Sequence, residues 1–171
     1  VAVAILASLP ALGLIRPFSD RGASMTPAIS VGDHFIMEGF TFLARRPQRG
    51  DIVLLRTAGI PSIRAETIYI KRIAGLPGDR LRLSDGKLYA NDTRVLLEND
   101  EGEIRYVSVP GERHLTSNGD TVSVPDGCYF VLGDNSADSS DSRIWGCVPR
   151  KNILGRVWFR YRPIGRFGGV R

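Results

Sequence analysis

A lysine set inside an apolar strand is the feature of this chain that most narrows what it can fold into. Residues 67–79 read TIYIKRIAGLPGD. By the period of two, Thr67, Tyr69, Lys71 and Ile73 share one face and Ile68, Ile70 and Arg72 the other, so neither face reads as freely solvated. Gly75 and the Pro77-Gly78 pair close the strand, because proline presets the first central position of a turn and glycine takes positive φ at the second. The ammonium then has two readings: it snorkels to water past its own stem, or it is held as a base. An unperturbed lysine is only ~0.04% neutral at pH 7, so freeing its amine costs ~4.6 kcal/mol unless burial lowers the pKa. Apolar neighbours and the Arg72 cation both push that way, and the second reading requires a nucleophile elsewhere in the chain.

With 171 residues, 43% apolar and 24% charged, the chain has room for one good core and a small subdomain. Its net charge of +5 would suit nucleic acid or an anionic membrane surface. No run of five basic residues and no aromatic-basic repeat occurs, which argues against nucleic acid. The two cysteines and two histidines lack any zinc spacing, so no metal site is predicted. His34 and His114 stand in no motif with a carboxylate and are read as structural.

Taken in order, residues 1–15 are apolar and uncharged. Fifteen residues fall short of the ~20 that cross a bilayer, so the stretch is read as the trailing end of a membrane anchor over 1–16, with a signal-peptide core or a buried helix as alternatives. Residues 18–31, FSDRGASMTPAISV, read as a strand running into a turn that presents Ser24, with Gly22 allowing close backbone approach. RGDIVLLR at 49–56 is a turn and a buried strand. Residues 81–123 read as a small polar β insertion, with hairpin turns at Asp85-Gly86 and Asn118-Gly119 and a solvated acidic tip at 98–103.

The densest polar run lies between two apolar strands, in residues 128–148, CYFVLGDNSADSSDSRIWGCV. Asp134, Asn135, Asp138 and Asp141 can bond to backbone groups, and Arg143 offers a planar fork to a carboxylate; alone, this is a self-satisfied turn. Cys128 and Cys147 flank the run, as a disulfide if the domain is exported or as two buried thiols. Residues 153–161 form a last strand with an aromatic face. The fold class is therefore mainly β, with no convincing helix beyond the N-terminal stretch. Core segments are expected over 17–80 and 124–165, with a tail at 166–171.

SMTP at 24–27, RGDIVLL at 49–55, KRIAGLPGD at 71–79 and GDNSADSSDSRIWG at 133–146, in this order, resemble the bacterial type I signal peptidases. The resemblance covers about residues 18–161, the insertion matching poorly. It implies coiled antiparallel sheets and an anchored endopeptidase of the bacterial cytoplasmic membrane, with the catalytic domain on the outer side. Its partners would be preprotein signal peptides and membrane lipid, with no cofactor. Ser24 matches the nucleophile and Lys71 the general base. Ser139 matches a serine that orients the lysine amine, Asp141 and Arg143 a supporting ion pair, and Asp134 and Arg72 further members of that network. Substrate would lie as an extended strand beside residues 18–23, Phe18 included, and beside the Lys71 strand with Tyr69.

Three departures stand out. The Ser24 N–H would be one oxyanion donor, but the position of a second, side-chain donor is Gly22. Ala28 replaces a threonine, and Asp20 stands where an aliphatic residue usually lines the pockets for small side chains, so that it must turn outward or pair with Arg21. Rival readings are a conjugation-type maturation peptidase, a self-cleaving repressor relative, and an inactive anchored peptide-binding relative.

Overall fold

The computed structural model describes residues 15–60, 63, 66–109, 111–116 and 119–170. The first half of the chain gives β1 (Ile15–Ser19), β2 (His34–Glu38), the single-turn helix α1 (Thr41–Ala44), β3 (Ile52–Arg56) and β4 (Ile68–Gly75). Next come β5 (Arg80–Ser84), β6 (Lys87–Ala90), β7 (Thr93–Val95), β8 (Glu98–Asn99), β9 (Gly102–Glu103) and β10 (Thr121–Ser123). The chain closes with β11 (Cys128–Leu132), the single turn α2 (Ser142–Trp145), β12 (Val148–Pro149), β13 (Ile153–Arg162) and β14 (Gly168–Gly169).

One eight-stranded sheet, ordered β1-β2-β13-β3-β4-β11-β12 with β14 on β13, carries the molecule. All its pairings are antiparallel. The lysine strand β4 is internal to it: Lys71 stands opposite Val53 of β3, and Arg72 opposite both Ile52 and Leu132. From Lys71 to Gly75 every residue is buried, because the strand is covered on both faces. One face packs with Val53, Leu55, Tyr129, Val131 and Trp145, the other with Met25, Ile29, Phe35, Ile52 and Leu54. The predicted turn is present, with Gly78 at φ +86°. Gly75 is needed for a different reason: a Cβ there would lie 2.5 Å from Leu81 Cδ1 and 2.9 Å from Phe130 Cβ.

The insertion departs from the polar appendage expected of it. Its sheet, β10-β5-β6-β7, turns at Asp85 and Gly86, both at positive φ as a tight hairpin requires. Its inner face buries Leu81, Leu83, Leu88, Leu97, Ile104, Tyr106 and Leu115 against Ala74, Phe130 and Leu132 of the main sheet. The alternation in RLRL and KLYA puts one apolar residue in two on that face, so the insertion shares the core. The acidic tip is a two-stranded ribbon, β8-β9, in which Glu103 pairs with Arg94. The second turn expected there lies partly outside the described residues, at Asn118.

Both ends also differ from expectation. Ile15 and Arg16, expected to end the anchor, pair with Glu38 and Met37 in the sheet, since β1 keeps its register to its first residue. The expected tail returns as β14, and Arg166 donates to Asp33 at 2.8 Å and to the Pro27 carbonyl. Residues 1–14, the bulk of the apolar stretch, lie outside the described residues. Among the described residues no helix is long and apolar enough to cross a membrane. Cys128 and Cys147 are free, half-buried thiols.

Candidate active site

Two chain segments meet over β4. The segment after β1 turns at residues 23–26, where Thr26 N donates to Ala23 O at 3.1 Å and Ile29 N to Met25 O at 2.9 Å. This turn holds Ser24 half-buried above Lys71. Lys71 Nζ lies 2.7 Å from Ser24 Oγ and donates to the Ile70 carbonyl at 2.9 Å. The lysine is 3% exposed. Its amine sits 5.3 Å from the centre of the Tyr69 ring. Burial pushes its pKa down to about 8, against the charges of Asp141, Asp20 and Asp134, while Arg143 adds to the depression. The free amine at pH 7 thus rises to roughly a tenth of molecules. Of the two readings of this lysine, snorkelling is excluded: the amine is buried against Ser24 and does not reach water past its stem.

The polar run of residues 133–146 wraps this pair from outside the sheet. Arg72 holds Asp134 through two bonds, Nε to Oδ1 at 2.8 Å and Nη2 to Oδ2 at 2.6 Å. Arg143 holds Asp141 likewise, Nε to Oδ1 at 2.9 Å and Nη2 to Oδ2 at 2.8 Å, with both side chains fully buried. Buried charges of this kind need every site filled. Asp141 also accepts from Gly133 N at 3.0 Å and caps α2 through Arg143 N at 3.1 Å. The rest of the guanidinium reaches Ser136 O at 2.8 Å and Val107 O at 2.7 Å, which ties the loop to the insertion.

Ser139 was expected to orient the lysine amine. Among the described residues its buried hydroxyl has no hydrogen-bond partner, and the amine bonds to Ser24 Oγ and to the Ile70 carbonyl of its own strand. Asp20 was expected to turn outward or pair with Arg21. It does neither: it lines the cleft, and its Oδ1 accepts from Gly22 N at 3.1 Å. Gly22 has no positive φ, and a Cβ there would meet only Asp20 Oδ1, at 3.8 Å. Among the described residues the Ser24 N–H has no acceptor and so is available to an incoming oxygen.

From the sequence Asn135 is expected only to bond to backbone groups, with no partner named, and Gly133 has no assigned role. Asn135 grips the nucleophile turn, its N–H donating to Ser24 O at 3.1 Å and its Nδ2 to Ala23 O at 3.2 Å. Gly133 lets loop and turn approach: a Cβ there would lie 2.2 Å from Ser139 Oγ and 2.5 Å from Ser24 O. Their only signal was membership of the densest polar run, where an asparagine with two spare donors stands next but one to a glycine. A cleft of about 760 Å³ opens in front of the pair, walled by Phe18, Leu54, Ile68, Tyr69 and Ile70, with Asp20 and Thr67 on the same lining. Among the described residues no group of three or more histidine, cysteine, aspartate or glutamate side chains could hold a metal ion.

A serine hydroxyl held against a buried lysine of lowered pKa, beside an apolar-walled cleft, is the arrangement that nucleophilic catalysis by a serine–lysine pair requires. The family described as "Signal peptidase, peptidase S26" matches residues 1–162. A "Probable signal peptidase I-2" of Synechocystis sp. is 39% identical over 147 residues, 85% of this chain and 62% of the relative. The "Signal peptidase I" of Bacillus caldolyticus is 33% identical over 174 residues, covering 98% of this chain and 90% of the relative. A "Probable thylakoidal processing peptidase 2, chloroplastic" of Arabidopsis thaliana is 38% identical over 163 residues, 92% of this chain and 41% of the relative. The chain belongs to the signal peptidase family, peptidase S26. It spans about three-fifths of the Synechocystis relative and two-fifths of the Arabidopsis one.

Proposed function

We propose that this protein is a serine endopeptidase that removes signal peptides from exported preproteins, with Ser24 as nucleophile and Lys71 as general base. The observation that carries the reading is the 2.7 Å contact between Ser24 Oγ and a buried Lys71 Nζ. Neutral Lys71 takes the hydroxyl proton as Oγ bonds to the scissile carbonyl carbon, and the carbonyl electron pair moves to oxygen beside the Ser24 N–H. Collapse breaks the C–N bond, and the lysine ammonium gives its proton to the leaving amine. Water then adds to the ester carbonyl, losing its proton to Lys71; collapse breaks the C–Oγ bond, the lysine ammonium returns that proton to Ser24 Oγ, and the signal peptide leaves with its new carboxyl group. The Arg72–Asp134 and Arg143–Asp141 pairs and the Asn135 grip hold the two groups in register, so that little reorganisation accompanies proton transfer.

Substrate lies extended along residues 18–22 and the start of β4, with Phe18, Tyr69 and Ile70 offering shallow apolar walls. We place the site at the outer surface of the bacterial cytoplasmic membrane. An exposed aromatic group supports a membrane-facing side: Phe40, Trp158, Phe159 and Phe167 follow one another at ring separations of 6.3, 6.4 and 4.6 Å. Trp158 is 48% exposed and Phe167 64%. The apolar stretch enters the sheet beside them, since Ile15 pairs with Glu38 and Glu38 with Arg156. Aromatic rings of this kind favour the headgroup level.

The test is incubation of the detergent-solubilised protein with a preprotein, mapping the new N-terminus by mass spectrometry. Cleavage after a signal peptide, lost in Ser24→Ala and in Lys71→Ala with the fold intact by circular dichroism, is expected. Retained cleavage by either variant would sink the serine–lysine mechanism.

A further inference from the structure

The cleft carries a charge that the chemistry above does not use. Asp20 follows β1 directly and prolongs its pairing, its N–H donating to Asp33 O at 3.0 Å and its carbonyl accepting from Gly32 N at 2.9 Å. The residue is therefore tied to the sheet, and its carboxylate occupies a set place on the cleft wall. It stands four residues before Ser24, within about 13 Å at the rise of an extended chain. Among the described residues no arginine or lysine forms an ion pair with it, the neighbouring Arg21 included. The same cleft lining has an apolar part, Phe18, Leu54, Ile68 and Ile70, and a polar part that includes Arg21, Lys71 and Asp138. Burial pushes its pKa up, against the N–H groups of Gly22 and Arg21 and the charge of Lys71.

A bound peptide would complete that burial. A carboxylate has about four acceptor positions, and the N–H groups of Gly22 and Arg21 take up part of that capacity. An alkyl side chain packed here strips water from the rest and returns nothing. An acidic one adds like-charge repulsion. A small side chain that carries an O–H fits the same space and donates to the carboxylate, a charge-assisted bond.

We propose that Asp20 makes this cleft select serine or threonine over the alkyl isostere at the substrate position that packs against it. The inference rests on the peptidase reading above and names the specificity of that same site. Discrimination follows the general rule that a site built to bond a hydroxyl rejects the analogue lacking it. Because Asp20 is only half-buried, the expected preference is modest, about tenfold, which is ~1.4 kcal/mol.

The experiment compares peptides that differ only by Ala, Ser, Val, Thr or Asp at each of the four positions before the cut. They are tested on the wild type, Asp20→Ile and Asp20→Asn, each checked for folding by circular dichroism. Two readouts are taken, kcat/KM in the active enzymes and Kd in the same enzymes carrying Ser24→Ala, so that preference is measured with or without turnover. Expected is a Ser:Ala and Thr:Val ratio of about ten at one position in the wild type, falling to one or below in Asp20→Ile. Asp20→Asn, which keeps an acceptor but not the charge, should retain part of the ratio and accept the Asp peptide. Ratios within twofold of one another in wild type and Asp20→Ile, at every position, overturn the inference while leaving the peptidase reading intact. No turnover of any peptide by the wild type overturns that reading, and the Kd ratios still decide the role of Asp20.

Discussion

Replacing Lys71 by methionine should abolish turnover and at the same time stabilise the protein at neutral pH. The native lysine has its pKa lowered from 10.5 to about 8, chiefly by burial. A folded-state pKa below the unfolded value means that the native state disfavours the proton. Between pH 8 and 10.5 the unfolded chain binds that proton and the native one does not, so stability rises with pH through this window. The 2.5-unit difference corresponds to a cost of roughly 3 kcal/mol at pH 7. About 2.5 kcal/mol of it is recovered by pH 10. Methionine fills similar volume without the charge, but it leaves the Ile70 carbonyl and Ser24 hydroxyl without their amine, which costs ~1 to 2 kcal/mol. The net expectation is a variant more stable by ~1 to 2 kcal/mol at pH 7, with the advantage shrinking and reversing by pH 10. Urea unfolding followed by tryptophan fluorescence measures it, since Trp145 is only 4% exposed. Groups common to both proteins cancel in the difference between the two curves. A stability difference that is the same at pH 7 and pH 10 would show that the lysine proton is not disfavoured by folding, and the argument for a ready base would fall with it.

Three further outcomes are expected. Wild-type kcat/KM should climb with pH to a plateau above about 8, the pKa of Lys71, and Lys71→Arg should be inactive throughout; a flat profile from pH 6 to 9 would contradict a lysine base. Gly133→Ala should lose at least a hundredfold in activity and ~2 to 3 kcal/mol in stability, because its Cβ would press into Ser139 Oγ and Ser24 O; near-normal kinetics with unchanged urea midpoints would refute the close approach. Gly22→Ser should raise kcat about tenfold by adding an oxyanion donor, and adding Asp20→Ile should raise it again by removing the acceptor that competes for the new hydroxyl. A well-folded Gly22→Ser enzyme no faster than wild type would mean that the hole is complete without it.

What the sequence made legible was local. The period of two placed Lys71 in a strand, the Pro77-Gly78 and Asp85-Gly86 turns followed from backbone chemistry, and the Asp141–Arg143 fork spans only two residues. What stayed hidden were relations across the chain. Nothing in the pattern of residues 133–135 says that Asn135 will grip a turn 112 residues earlier, because side-chain amides look alike whether they face water or a carbonyl. The insertion looked polar because its outer face is; the alternation in RLRL and KLYA marks an inner face, and its packing against Ala74 and Phe130 shows what covers it.

The same distinction explains why the lowered pKa of Lys71 is a property of the whole fold and not of its strand. Lys71 loses water because β3 and β11 flank β4, Ser24 lies over it, and Tyr69 stands beside it. Of the three carboxylates whose charge raises its pKa, Asp134 is engaged by Arg72 and Asp141 by Arg143, and Asp20 on the cleft wall has no ion pair among the described residues. Both guanidiniums fill the acceptor sites of a buried carboxylate, and Arg143 also lowers the lysine pKa directly. Losing either arginine alone would leave a buried carboxylate uncompensated near the amine. That change pushes the Lys71 pKa back toward 10.5 and removes the free base even where the Ser24 contact survives. In the proposed mechanism, two ion pairs that touch no substrate thus act through the charge they withhold.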